Sequence, residues 1–232
     1  MSDARSAILA GIRRSLQRGA LGPEAEAELR ARLAAPARNL LPERATALDE
    51  AGRVALFVAM AEEVQASVAK IAALEQVPQE IARYLAAENL PAELTLAPDP
   101  ALAAIPWAAW PLLQVRQGRA REGDAVSVTP CFAAVAETGT LMLVSGPQTP
   151  TTLNFLPDTH IVVLRESQIV ACYEDAWDRL RAARSAAEGL PRVVNFITGP
   201  SRTADIEQQI VLGAHGPRRL HIVLVEDGPD TA

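Results

Sequence analysis

Aromatic residues make up only 4% of this 232-residue chain. With few large rings to fill it, a core must rely on aliphatic packing, and alanine and leucine are plentiful. Cysteine is scarcer still: Cys131 and Cys172 are the only two, far apart and in no Cys-x-x-Cys pair. That excludes a disulfide framework. An iron–sulfur cluster takes four thiolates, more than this chain alone supplies. The three histidines, His160, His215 and His221, show no zinc-site spacing with cysteine, so no metal is expected. No apolar run approaches the roughly 20 residues of a membrane helix. The longest candidate, residues 54–61, is closed off by Arg53 and Glu62. The first 18 residues lack the apolar centre of a signal peptide. Net charge is −6 with no long basic run, which argues against nucleic acid as the main partner. A soluble cytoplasmic protein is the expectation.

What is present is a pattern of helices and short apolar strands. Ile8, Ile12 and Leu16, spaced by four, predict an amphipathic helix over residues 3–18, and a second, Ala-, Glu- and Arg-rich helix follows over 24–33. These form an N-terminal helical extension, residues 1–42, ahead of an α/β domain over 43–232. In that domain, helices are expected at 47–64, at 78–88 with Pro78 in its first turn, and at 173–187. Residues 68–74 read as a strand or a helix end. Strands are expected at 94–96, 112–115, 141–144, 159–164 and 220–225, with 167–170 as the return strand of a hairpin. The proline-rich stretch 97–111 reads as loop, with Trp107 and Trp110 laid over the core. Strands alternating with helices predict a mixed or mainly parallel sheet.

The most suggestive stretch is residues 193–218, VVNFITGPSRTADIEQQIVLGAHGPR. An apolar β-branched run stops at Gly199-Pro200. Ser201-Arg202-Thr203 follows, then Asp205 and Glu207 in what reads as the first turn of a helix ending near Gly213. The pattern suggests a βαβ unit with functional residues in its loops, at the carboxyl ends of strands. Backbone N–H groups, a helix dipole and the Arg202 guanidinium would suit a phosphate or carboxylate. Alternatively, Ser201 or Thr203 only caps the helix and Arg202 pairs with Asp205. His215, followed by Arg218, could shuttle a proton or bind an oxyanion, or simply hold its turn. Glu137, in the polar turn Glu137-Thr138-Gly139-Thr140, could act as nucleophile or general base, or accept backbone hydrogen bonds. His160 and His221 lie in apolar strands and read as satisfied core residues.

At these residues the chain resembles the lactate utilization protein C family, with its LUD domain. The likeness rests on Ala136-Glu137-Thr138-Gly139-Thr140, on Leu156-Pro157 with His160-Ile161, on GPSRTADIE over residues 199–207, and on GAHGPR over 213–218. It implies a Rossmann-like fold of the sugar-phosphate isomerase and CoA-transferase-like type. It also implies a part in bacterial oxidation of L-lactate to pyruvate beside two iron–sulfur partner proteins, which would hold the clusters. Residues 151–155, TTLNF, depart from the family's usual basic residue and Ser-Leu-Leu, so no ligand contact is counted on there. The site drawn from motif and likeness has Glu137 and His215 as catalytic candidates. Its anion-binding set is Thr138, Gly139, Thr140, Gly199, Ser201, Arg202, Thr203, Asp205 and Arg218. The alternative is a stand-alone enzyme or binding protein for a CoA thioester, sugar phosphate or other anionic small molecule, in which Glu137, Arg202 and His215 converge. Homo-oligomerisation is left open.

Overall fold

The computed structural model describes the chain apart from residues 1, 18, 39, 186–188, 205–209, 213–214 and 228–232; for residues 2, 3, 203, 204 and 210–212 only the backbone is described. The chain divides into two compact units, Met1–Leu40 and Leu41–Ala232. The first holds α1 (Ser2–Ser15) and α2 (Pro23–Ala34), the latter opened by a proline and carrying no buried residue. An Arg30–Glu26 pair one turn apart, at 2.6 Å, braces α2.

The second unit begins with α3 (Glu43–Thr46) and α4 (Glu50–Glu63), whose Asp49 cap accepts the Gly52 N–H at 2.8 Å. Val54, Phe57 and Ala61 recur at helical spacing and form its buried stripe. Then come β1 (Ser67–Ile71), α5 (Val77–Ala87), β2 (Glu93–Leu96), α6 (Pro100–Ala103), β3 (Gln114–Gln117), β4 (Val126–Pro130), β5 (Ala133–Val135), β6 (Thr140–Val144), β7 (Thr159–Arg165), β8 (Ile169–Val170) and α7 (Tyr173–Ala182). The last strands are β9 (Val194–Ile197), β10 (Arg202–Ala204), β11 (Ile210–Leu212) and β12 (Arg219–Val225).

Six strands form one fully parallel sheet in the order β1-β12-β7-β4-β2-β3. A smaller mixed sheet has the order β8-β5-β6-β9. Alternation along the strands sorts their side chains into layers. Ile161 and Val163 of β7, with Val223 and Val225 of β12, pack with Ile81, Tyr84 and Leu85 of α5. On the other face, Val162, Leu164, Ile222 and Leu224 meet Phe57 and Ala61 of α4 together with Ala134, Leu141 and Leu143 of the small sheet. The small sheet's remaining face, with Val135 and Met142, is covered by Ala176 and Leu180 of α7. Being buried on both faces explains why the central strands read as unbroken apolar runs.

Three expectations are corrected. First, residues 193–225 do not form a βαβ unit. β9 pairs antiparallel with β6 in the small sheet, whereas β12 sits in the large one, so the stretch crosses between sheets. Second, the helix expected up to Gly213 is absent at its end: Ile210–Leu212 is a strand, paired antiparallel with Arg202–Ala204. Third, Ile169–Val170 pairs in parallel with β5 and makes no hairpin with β7. Smaller shifts follow the same logic. Residues 67–71 settle as strand, and the strand expected at 112–115 starts two residues later because Leu112 faces solvent. Trp107 is partly buried against the core and donates its indole N–H to the Leu102 carbonyl at 2.8 Å.

Gly139 and Gly199 both have positive φ, +63° and +72°. A Cβ on Gly139 would strike the backbone of Met60 and Ala61, and one on Gly199 would strike the Val64 carbonyl oxygen. Gly123 also has positive φ, +89°, but open space around it. Gly139→Ala is therefore expected to cost roughly 3 kcal/mol or more, from left-handed strain plus overpacking. Gly123→Ala should cost about 1–2 kcal/mol from strain alone. Urea unfolding of both variants tests this, and equal losses would remove the close approach as the cause.

Candidate functional site

Where β9 leaves the small sheet, Thr198-Gly199-Pro200-Ser201 turns back toward the segment leading into β12. The Ser201 N–H donates to the Pro217 carbonyl at 2.8 Å and ties the two segments together. Between them lies a cavity of about 260 Å³, a size that suits a small molecule. Its walls include Asn154, His160, Thr198, Ser201, Arg202 and His215. Arg202 and His215 are exposed, while Asn154 and His160 are buried. His160 and Leu220 are each the second residue of their strand, so the cavity opens at the amino ends of β7 and β12. Only with respect to β9 is it at a carboxyl end. The carboxyl edge of the large sheet instead carries a wider groove of about 920 Å³, lined by Asp49, Glu50, Glu62, Glu166 and Asp227. Among its described residues the one cation is Lys70, paired with Glu166 at 2.8 Å and Glu226 at 3.4 Å, which raises the ammonium's pKa. An anion is better served at the first cavity.

The residues expected from sequence separate into two places. Gly199, Ser201, Arg202 and His215 line the cavity. Glu137 does not: its N–H donates to Ala171 O at 3.2 Å, and its carbonyl accepts from Arg44 at 2.5 Å. Glu137, Arg202 and His215 thus do not converge on one cavity. Thr138 and Thr140 share hydrogen bonds with each other at 2.7 Å and with the Tyr173 hydroxyl at 3.0 Å each. Thr140 also reaches Thr198, on the cavity wall, at 2.7 Å. This chain of hydroxyls links the two places beside the β6–β9 ladder, which pairs Leu141 with Ile197 of the cavity lining. Gly139 serves the close approach to α4. Arg218 is turned to Asp158, 3.7 Å away on the surface, and is not part of the wall. Thr203 lies in β10. Asp205 lies outside the described residues, so its supposed pairing with Arg202 does too.

A model of the LUD domain matches residues 45–225. The chain belongs to the LUD domain family. This LUD domain is 35% identical over 109 residues to Lactate utilization protein C of Halalkalibacterium halodurans, covering 47% of each chain. It is 36% identical over 102 residues to Lactate utilization protein C of Bacillus subtilis, covering 44% of this chain and 42% of that one. The chain thus spans just under half the length of the curated relatives it matches. Its fold resembles the crystal structure of a DUF162 family protein from Deinococcus radiodurans, with a TM-score of 0.57 and 23% identity, over 77% of this chain and 99% of that one. That supports an α/β fold with a mostly parallel central sheet.

Two cavity residues of this LUD domain escape a reading by motif. Asn154 belongs to the TTLNF loop, where no ligand contact was counted on, yet Asn154 and Phe155 line the cavity. His160 reads as a satisfied core residue and is only half satisfied. The ring's Nε2 lies 2.8 Å from the Thr129 hydroxyl, but its Nδ1 has no hydrogen-bond partner among the described residues. The available signal was a polar ring as the second residue of an otherwise aliphatic strand. His221, on the opposite face, stacks on Tyr84 at 3.9 Å and bonds Ser67 through Nδ1 at 2.8 Å, while its Nε2 lies 3.5 Å from Glu80.

Burial keeps both histidines neutral. It pushes His160 down to about 3. It pushes His221 down to about 4, against the pull of Glu80 and with help from Arg83. In the unfolded chain both titrate near 6.5. Above about pH 6.5 neither affects stability. Below it the unfolded state takes up protons that the folded state refuses, so stability falls until about pH 4 for His221 and about pH 3 for His160. Between pH 6.5 and 5 the loss is about 2 kcal/mol per histidine. Urea midpoints at pH 7.5 and 5.0 should differ accordingly, and His221→Phe should remove about half of the difference.

Proposed function

We propose that this chain is a component of an L-lactate utilization system, supporting oxidation of L-lactate to pyruvate together with iron–sulfur partner proteins. The observation that carries the reading is the similarity to proteins named Lactate utilization protein C, within a family match covering residues 45–225. The chemistry of the cavity is compatible with it. Arg202 and His215 offer a guanidinium and an imidazole where a small carboxylate could enter, with the Ser201 hydroxyl beside them. Oxidation of lactate releases two electrons and two protons. With only two cysteines, both buried and neither in a disulfide, this chain would leave electron transfer to its partners. The Cys131 thiol, pushed up to about 12 by burial, stays protonated. The alternative of a CoA-thioester or sugar-phosphate enzyme with Glu137 as nucleophile is less well supported, because Glu137 is not on the cavity wall.

Lactate-dependent dye reduction tests the proposal, with the purified chain, the two partners without it, and all three together. The full set should be active, and neither the chain alone nor the partners alone should be. Arg202→Ala should lower kcat/KM for lactate by about 10- to 100-fold, the worth of a charge-assisted hydrogen bond. Partners as active without the chain as with it would overturn the assignment.

A further inference from the structure

His160 is fully buried, yet one of its two ring nitrogens has no partner among the described residues. Folding rarely leaves a buried polar atom unpaired, since the desolvation cost is about 1–3 kcal/mol. Here the ring belongs to a cavity wall whose other buried polar member is Asn154. Strand alternation puts His160 on the face shared by Val162 and Leu164, the face turned toward the small sheet. Phe196, Ile197 and Thr198, in or just after β9 of that small sheet, also line the cavity. The other ring nitrogen, Nε2, lies 2.8 Å from the Thr129 hydroxyl, which fixes the ring.

We propose that His160 Nδ1 is the cavity's contact for the α-oxygen of a short 2-hydroxy or 2-oxo carboxylate whose carboxylate is taken by Arg202. The inference rests on the lactate reading above and adds the residue that recognises the α-substituent. A neutral imidazole carries one donor and one acceptor nitrogen, and a threonine hydroxyl can be either partner. When Nε2–H donates to Thr129, Nδ1 accepts from an α-hydroxyl. When the Thr129 hydroxyl donates to Nε2, Nδ1–H donates to an α-keto oxygen. The pair can therefore hold substrate and product of an alcohol-to-ketone oxidation in one place, with no change in net charge.

The test uses calorimetric binding of L-lactate, pyruvate and propionate, which share a carboxylate and differ at the α-carbon. The wild-type chain should bind lactate and pyruvate about tenfold more tightly than propionate, the worth of one hydrogen bond. His160→Phe should bring both down to the propionate level and leave propionate itself within about twofold. Arg202→Ala should weaken all three. A uniform loss across the three acids in His160→Phe, or no loss, overturns the role of His160 while leaving the carboxylate site standing. No binding of any of the acids by the wild-type chain overturns both. Nitrogen NMR of the wild-type chain labelled at its three histidines serves even if His160→Phe does not fold. Lactate should shift the His160 Nδ1 resonance and propionate should not. Equal shifts with both, or none with lactate, would refute the contact.

Discussion

Two glycines pressed against the end of one helix set the geometry of this domain. Gly139 in the turn before β6 and Gly199 in the loop after β9 both have positive φ, and both lie where a side chain would collide with the last turn of α4 or the residue just after it. That helix is itself clamped between the sheets by Val54, Phe57 and Ala61. The end of α4 closes tightly, with the Ala66 N–H on the Ala61 carbonyl at 3.0 Å before β1 begins. The small sheet is therefore positioned on the large one by backbone-to-backbone contact at two points, a stiffer constraint than side-chain packing alone. β6 and β9 are hydrogen-bonded neighbours, so the two contacts reinforce each other.

The cavity follows from that constraint. With Gly199 held at α4, the loop 198–201 has to pass over the amino ends of β7 and β12, and the bond from Ser201 to Pro217 closes it there. The Thr138, Thr140, Tyr173 and Thr198 hydroxyls join the turn before β6 to this loop through a run of hydrogen bonds. The Glu137 turn has a structural part in this arrangement: it presents Gly139 to the helix and Thr140 to the network. The motif that offers a candidate catalytic carboxylate in sequence also marks a joint between layers in the structure.

The parts legible in the sequence were those set by local chemistry. The aliphatic runs of β6, β7 and β12 and the apolar stripe of α5 announce themselves, because burial on both faces or on one helical face leaves a periodic trace. The segment 193–225 misled because its punctuation is local while its pairing is not. A strand, a polar loop and a second strand fit a βαβ unit and an exchange between two sheets equally well, and only the long-range partners β6 and β7 separate them. Ser201, Arg202 and His215 stand out in sequence for their chemical type, and the structure places all three around one cavity although the predicted helix end between them is a strand. His160 was missed because strand periodicity tells that a residue is inside, not whether both of its nitrogens are satisfied there.

The division of polar groups in the cavity has a physical consequence. On the lactate reading proposed above, charge recognition would fall to the exposed Arg202 guanidinium, where water screens the interaction and any small anion gains something. Discrimination would fall to the buried groups, His160 and Asn154. A polar atom already stripped of water gains most from a ligand that completes its hydrogen bond, and a ligand without the matching group leaves it unpaired at the full desolvation cost. A histidine kept neutral by burial adds no ionic attraction that would swamp this preference. Selectivity among small carboxylates would then come from the buried wall and attraction from the exposed one, and the two could change independently within the same glycine-fixed frame.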